Sequence, residues 1–187
     1  MEHMAEVRLL TEEDAPALWR LRLEALECEP RAFAETPEEH RQTSSEIFAL
    51  RLREGRPNHF IVGAFEGESL VGMAGFLRSG GSKARHKGRV WGVYLNAAAR
   101  GQGIGRQMLD ALLEEARGLE GLVNVVLTVA EENRPAVELY RRVGFLEYGR
   151  DPCALRVDGA YVPELLMRYD LTETAPSGHG LESARCG

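Results

Sequence analysis

The sequence is poor in lysine, poor in cysteine, and without a long apolar run. Lys83 and Lys87 are the sole lysines among 23 cationic residues, and 29 acidic residues leave a formal net charge of −6. An acidic chain of this kind is not a general nucleic-acid-binding surface. Cys28, Cys153 and Cys186 are odd in number, far apart, and never in a CxxC pair. That pattern excludes a zinc knuckle and a disulfide framework and predicts reduced thiols. No uncharged apolar stretch approaches the ~20 residues of a membrane-spanning helix, so no membrane association is expected. The opening MEHMAEVRLL carries acids where a secretory leader carries positive charge. A cytoplasmic protein is the expectation.

The content that remains is ordinary for a folded domain: 44% hydrophobic and 28% charged residues in 187. A chain of this length buries roughly 70% of its unfolded surface without a staple. One domain over residues 1–171 is expected, followed by a flexible tail at 172–187, where periodicity and aromatic residues are absent. Within the domain, Glu6–Leu10 reads as a strand, and Thr11-Glu12-Glu13-Asp14 as a helix start with a capping hydroxyl and acids at the positive end. Helical spacing of Ala15, Trp19, Leu23 and Leu26 carries that helix to Cys28, with Pro30 beyond its end. A loop follows over Glu29–Pro37, then a second helix over Glu38–Arg53.

From Asn58 the period changes to that of strands. Phe60–Phe65 and Leu70–Leu77 form a hairpin about Glu66-Gly67-Glu68, and Arg89–Leu95 is a further strand. Ile104–Arg117 is an amphipathic helix, Leu122–Val129 a central strand, and Asn133-Arg134-Pro135 opens a helix that Gly144 closes. Arg150–Val157 and Tyr161–Tyr169 read as a closing hairpin around Asp158-Gly159. Strands mixed with helices in this order predict a single α/β (α+β) layer structure.

The most informative segment is Arg100-Gly101-Gln102-Gly103-Ile104-Gly105-Arg106, between a strand and a helix. Glycines at alternate positions remove Cβ atoms from one side, so that successive amides can converge on an anion at the helix N-terminus. Arg100 and Arg106 add charge suited to phosphate oxygens. Spacing eliminates two alternatives. A P-loop requires a lysine after its last glycine, and a dinucleotide fingerprint requires GxGxxG and an acid on the next strand; Leu122–Val129 contains none.

The stretch Leu95–Gly105 (LNAAARGQGIG) resembles the R/Q-x-x-G-x-G/A motif of the GCN5-related N-acetyltransferases, the GNAT family. A second similar block follows at Asn133–Phe145 (NRPAVELYRRVGF). The resemblance implies a GNAT fold: a mixed sheet of six or seven strands, splayed between the fourth and fifth, flanked by about four helices, with acetyl-CoA as co-substrate in the splay and no metal. Ala97 stands where many members have proline. By the same resemblance the backbone of Val93, Tyr94 and Leu95 pairs with the pantetheine arm and polarises the thioester. Residues Arg100, Gly101, Gln102, Gly103, Ile104, Gly105 and Arg106 hold the pyrophosphate. Asn133, locally a helix cap, adds a cofactor contact.

Tyr140 is implied as the catalytic acid for the departing thiolate, against the alternative of ordinary core filling. A phenol near pKa ~10 facing a thiol near ~8.5 is a workable donor. No general base is visible, since Gly88–Asn96 carries no acid; Glu29, Glu35, His86 and an ordered water are candidates. The acceptor, a small-molecule amine or peptide, is expected between the first helices, their loop and the last hairpin. Acids at Glu27, Glu29 and Glu35 suggest a cationic one. Neither motif contains cysteine, which points to direct attack in a ternary complex rather than an acyl-enzyme. A non-catalytic acyl-CoA sensor and a protein N-terminal acetyltransferase remain the other readings. Family members that dimerise do so through sheet edges or terminal strands, so a homodimer is a further expectation.

Overall fold

The computed structural model describes residues 5–171; the tail expected at 172–187, with Cys186, lies outside the described residues. A seven-stranded sheet is built from β1 (Glu6–Leu9), β2 (His59–Glu66), β3 (Ser69–Arg78), β4 (Lys87–Leu95), β5 (Asn124–Ala130), β6 (Leu146–Val157) and β7 (Ala160–Asp170). Their spatial order is β1-β2-β3-β4-β5-β7-β6. All neighbours run antiparallel except β4 and β5. The mixed sheet is the one expected, with the larger strand number.

Among the described residues, five α-helices cover it: α1 (Ala15–Cys28), α2 (Pro37–Arg41), α3 (Ser45–Glu54), α4 (Ile104–Arg117) and α5 (Arg134–Val143). One face carries α4 and α5. Met108, Leu109, Leu112 and Leu113 of α4 and Val137 and Tyr140 of α5 join Phe76, Val90, Val125, Leu127 and Met167 of the sheet in one buried cluster. The other face carries α1 and α3, whose Leu18, Leu21, Ala25, Phe48 and Leu52 pack on Ile61, Met73 and Tyr94. Each fully buried leucine contributes on the order of 1.5–3 kcal/mol.

The start of α1 is fixed by its own sequence. Asp14 accepts from the Thr11 amide at 2.8 Å and from Arg8 Nη1 and Nη2, which pull its carboxyl below the ordinary value. The single helix expected over Glu38–Arg53 is two helices. The Thr43 hydroxyl donates to the His40 carbonyl at 2.7 Å, and the Trp19 indole N–H donates to the Thr43 carbonyl at 3.0 Å. A carbonyl taken up by α1 is lost to the helical ladder, so the helix stops and restarts after Ser44. His40 thereby enters the core, fully buried, its Nε2 at 3.0 Å from the Trp19 carbonyl.

Close approaches explain some glycines inside strands. A Cβ on Gly75 would lie 2.4 Å from the Trp91 ring, so the ring lies over the bare backbone of β3. The β6–β7 hairpin turns at Asp158 (φ 50°) and Gly159 (φ 82°), the left-handed pair that an Asp-Gly two-residue turn requires. β6 begins at Leu146 rather than Arg150, because the antiparallel ladder with β7 extends back through Leu146↔Arg168.

Candidate active site in the sheet splay

The parallel pairing of β4 with β5 comprises Lys87↔Asn124, Gly88↔Val125 and Arg89↔Val126 and then ends. Beyond it β4 runs on to Leu95 and β5 to Ala130 as they diverge, which leaves backbone unpaired along both walls. The opening is a cleft of about 260 Å³ lined by Gly92 and Val93 of β4, Leu127–Ala130 of β5, and Asn133, Ala136 and Tyr140 at the start and on the inner face of α5.

A bulge aims the β4 wall. Met73 and Gly75 of β3 pair with Tyr94 and Trp91, so β4 holds one residue more than its partner there. Gly92 at φ 61° takes the left-handed conformation that such a bulge demands. The extra residue turns Val93 to the same face as Val90, and both line the cleft. A glycine interior to a strand was a legible sign of this bulge, yet Gly92 was not among the sequence candidates. Tyr94 and Leu95 were; neither lines the cleft. The Tyr94 side chain is buried on the α1 face and donates to Glu24 at 2.9 Å, a carboxylate that also receives Asn96 Nδ2 at 2.8 Å. Burial first, then that carboxylate, raises the Tyr94 pKa.

The glycine turn lies past the end of β4, after a 3₁₀ turn over Ala97–Ala99 that Asn96 caps. Gly101 and Gly103 both have φ 80°, with open space where a Cβ would stand. Gly103 is the N-cap of α4 and offers no side-chain acceptor. Among the described residues, none of the amides from Gly101 to Gly105 donates to a protein acceptor, whereas those of Arg106 and Gln107 turn back to Gly103. Such a row of free N–H groups at a helix N-terminus is chemically suited to receive an anion. Gly105 has a further role: a Cβ there would sit 3.1 Å from Leu139, so α4 and α5 approach closely.

Both flanking arginines have protein partners. Arg100 donates to the Leu95 carbonyl at 2.9 Å and to Glu29 at 3.0 Å, and Arg106 to Asp110 at 3.1 Å and the Arg142 carbonyl at 2.9 Å. They therefore brace the turn, β4 to the α1–α2 loop and α4 to the end of α5. All of these contacts are half-exposed or exposed, so a phosphate can share them. Gln102 is exposed, donating to the Ala98 carbonyl at 3.3 Å.

Asn133 accepts from the Ala136 amide at 3.3 Å, the cap read from sequence, and lines the cleft. Tyr140 is 6% exposed and set edge-to-face on Phe145, ring centroids 5.9 Å apart. It lines the cleft, and its hydroxyl has no protein hydrogen-bond partner among the described residues. Burial alone raises its pKa, which holds the phenol in its neutral, proton-bearing form. Of the candidate bases, Glu29 pairs with Arg100 and Glu35 with Arg22. His86 precedes the paired, closed end of β4, exposed and away from the cleft. Glu164 of β7, not considered from sequence, does line it.

A second cavity of about 380 Å³ shares Phe33, Ala34 and Leu155 with the cleft. It continues outward between the Pro30–Glu38 segment and the Leu155–Asp158 part of the last hairpin. This is the region in which the acceptor was expected. No cluster of side chains suited to a metal ion occurs among the described residues, and none of their helices is long and apolar enough to cross a membrane.

The family model for the acetyltransferase (GNAT) family matches residues 18–145, and the chain belongs to that family. The N-alpha-acetyltransferase RimI of Mycobacterium tuberculosis is 40% identical over 104 residues, 56% of this chain and 63% of that protein. A mycothiol acetyltransferase of Geodermatophilus obscurus is 36% identical over 126 residues, 65% of this chain and 40% of that protein. The matches thus span less than two thirds of either relative. Among solved structures, yncA from Salmonella typhimurium with acetyl-CoA superposes at a TM-score of 0.79 with 21% identity, over 94% of this chain and 98% of that one. A GNAT acetyltransferase from Streptococcus pneumoniae superposes at 0.79 with 22% identity, over 89% and 99%. These two likenesses establish the fold.

Proposed function

We propose that the protein transfers the acetyl group of acetyl-CoA to a primary amine by direct attack within a ternary complex. The observation that carries this reading is the cleft between diverging β4 and β5, lined by Tyr140, whose hydroxyl has no partner among the described residues; past the end of β4 the glycine turn presents a row of free amides. In this reading the amides of Gly101–Gly105 hold the pyrophosphate. The unpaired backbone of Val93 aligns the pantetheine arm and stabilises charge developing on the thioester oxygen, without reorganisation at the moment of reaction. The amine forms the C–N bond as the C–S bond breaks; Tyr140 gives its proton to the departing sulfur and recovers one from the ammonium through solvent. Holding the two reactants side by side supplies much of the acceleration.

The similarity to RimI supports a polypeptide N-terminus as acceptor, and the similarity to mycothiol acetyltransferases supports a small molecule. The test is thiol release from acetyl-CoA in the presence of an amine panel that includes short peptides. Free CoA should appear only when an acceptor is present. Tight acetyl-CoA binding with no acceptor-dependent thiol from any amine would favour the sensor reading instead.

A further inference from the structure

The α1–α2 region contains a buried cation that the protein leaves incompletely satisfied. Arg22 of α1 is 8% exposed. Its Nε and Nη2 both donate to one oxygen of Glu35, at 3.1 and 3.0 Å, and its guanidinium lies over the Phe33 ring at 4.6 Å. The remaining nitrogen, Nη1, is buried and has no partner. It lies beside the β4 bulge, where a Cβ on Gly92 would be 3.6 Å from it, and Arg22, Phe33, Gly92 and Val93 line the same cleft as Tyr140.

A guanidinium does not give up its proton in a protein, so Nη1 presents two permanent N–H donors. Leaving charged donors buried and unmatched costs several times what an exposed pair gains. Glu35 reaches the guanidinium through one oxygen; its other oxygen lies 3.4 Å from His40 Nδ1, which makes no hydrogen bond among the described residues. The acids that suggested a cationic acceptor are also spoken for: Glu27 pairs with Arg41, Glu29 with Arg100 and Glu35 with Arg22. What the protein leaves unmatched at this wall of the cleft is a cationic N–H donor. Coenzyme A brings no second anion to this wall, since its charges are phosphates and its pantetheine arm offers only neutral carbonyl acceptors.

We infer that the acceptor is an amine that also bears a carboxylate, and that Arg22 Nη1 receives this carboxylate beside the Gly92 bulge. The inference rests on the transferase reading and narrows its substrate class. Glu164, across the cleft on β7 and without a side-chain partner among the described residues, offers the complementary charge for the amino group before it loses its proton. The cavity beyond Phe33, Ala34 and Leu155 leaves room for a side chain.

The test is calorimetric titration of the full chain, saturated with CoA, with L-amino acids and with their carboxamides, which differ at the carboxylate alone. At least one acid should bind about tenfold or more tightly than its amide, the scale of a charge-assisted hydrogen bond. Arg22→Lys, which keeps a cation for Glu35, should bring that ratio to within about threefold while CoA affinity holds. Should the variant not fold, the acid-to-amide ratio on the unaltered protein still decides the matter. Acids and amides binding alike, or neither binding at millimolar concentration, would overturn the inference. So would an Arg22→Lys effect on CoA affinity alone. Acceptor-dependent thiol release with amides as good as acids would sink the carboxylate preference while the transferase reading stands; failure to bind CoA would sink the transferase reading itself.

Discussion

Replacing Tyr140 with phenylalanine removes one oxygen from the cleft and little else. The hydroxyl has no hydrogen-bond partner among the described residues, while the ring packs edge-to-face on Phe145 and would stay. The stability change should therefore fall within about 0.5 kcal/mol, as for a substitution that breaks no contact. Catalysis should respond quite differently. General acids contribute roughly 10²–10⁴-fold, and a thiol of pKa about 8.5 is a fair leaving group even unassisted, so the low end applies. The expected loss in kcat is about 10²-fold, equivalent to ~2.7 kcal/mol at 1.36 kcal/mol per decade. Acetyl-CoA affinity should change by about twofold or less, because a phenol–sulfur contact is a weak hydrogen bond in the ground state. The assay is thiol release with saturating acceptor, beside a calorimetric acetyl-CoA titration and a thermal melt. A kcat within about threefold of the unaltered protein's, with chemistry shown to be rate-limiting by the absence of a product burst, would refute the role.

Two further outcomes follow from the packing. Gly75→Ala places a Cβ 2.4 Å from the Trp91 ring at the bulged part of β4, and should lower stability by about 1–3 kcal/mol, read from denaturant midpoints. The Asp14 carboxyl is held down first by its hydrogen bonds from Arg8. A depressed carboxylate gives stability that is present above its unfolded pKa and lost as pH falls through the folded one. The melting-temperature difference between the natural protein and Asp14→Asn should accordingly be full at neutral pH and shrink only below the ordinary value of 3.8.

What the sequence revealed about the site was what is local. The glycine turn could be read because left-handed backbone at Gly101 and Gly103 is a property of residue type, and the Asn133 cap because its bond spans three residues. The partners of Arg100 and Arg106 could not: Glu29 lies 71 residues away and the Arg142 carbonyl 36 away, with no period linking them. The same holds for Tyr94, Asn96 and Glu24, which the sheet and α1 bring together across 70 and 72 residues. The helix over Glu38–Arg53 had helical composition throughout, and the tertiary bond from Trp19 to Thr43 overrode it. The spare donor on Arg22 had no sequence signal at all, since it is defined by what does not contact it.

In the proposed complex, free amides of the Arg100–Arg106 turn grip the coenzyme's pyrophosphate while the thioester lies beside Tyr140. Amide nuclear magnetic resonance during titration with CoA tests it most directly. Gly101, Gly103, Ile104, Gly105 and Val93 should show saturable, stoichiometric shifts, with Gly67 and Gly159, which lie in other turns, unmoved. Saturation with the turn amides stationary, or shifts confined to residues outside the splay, would contradict it.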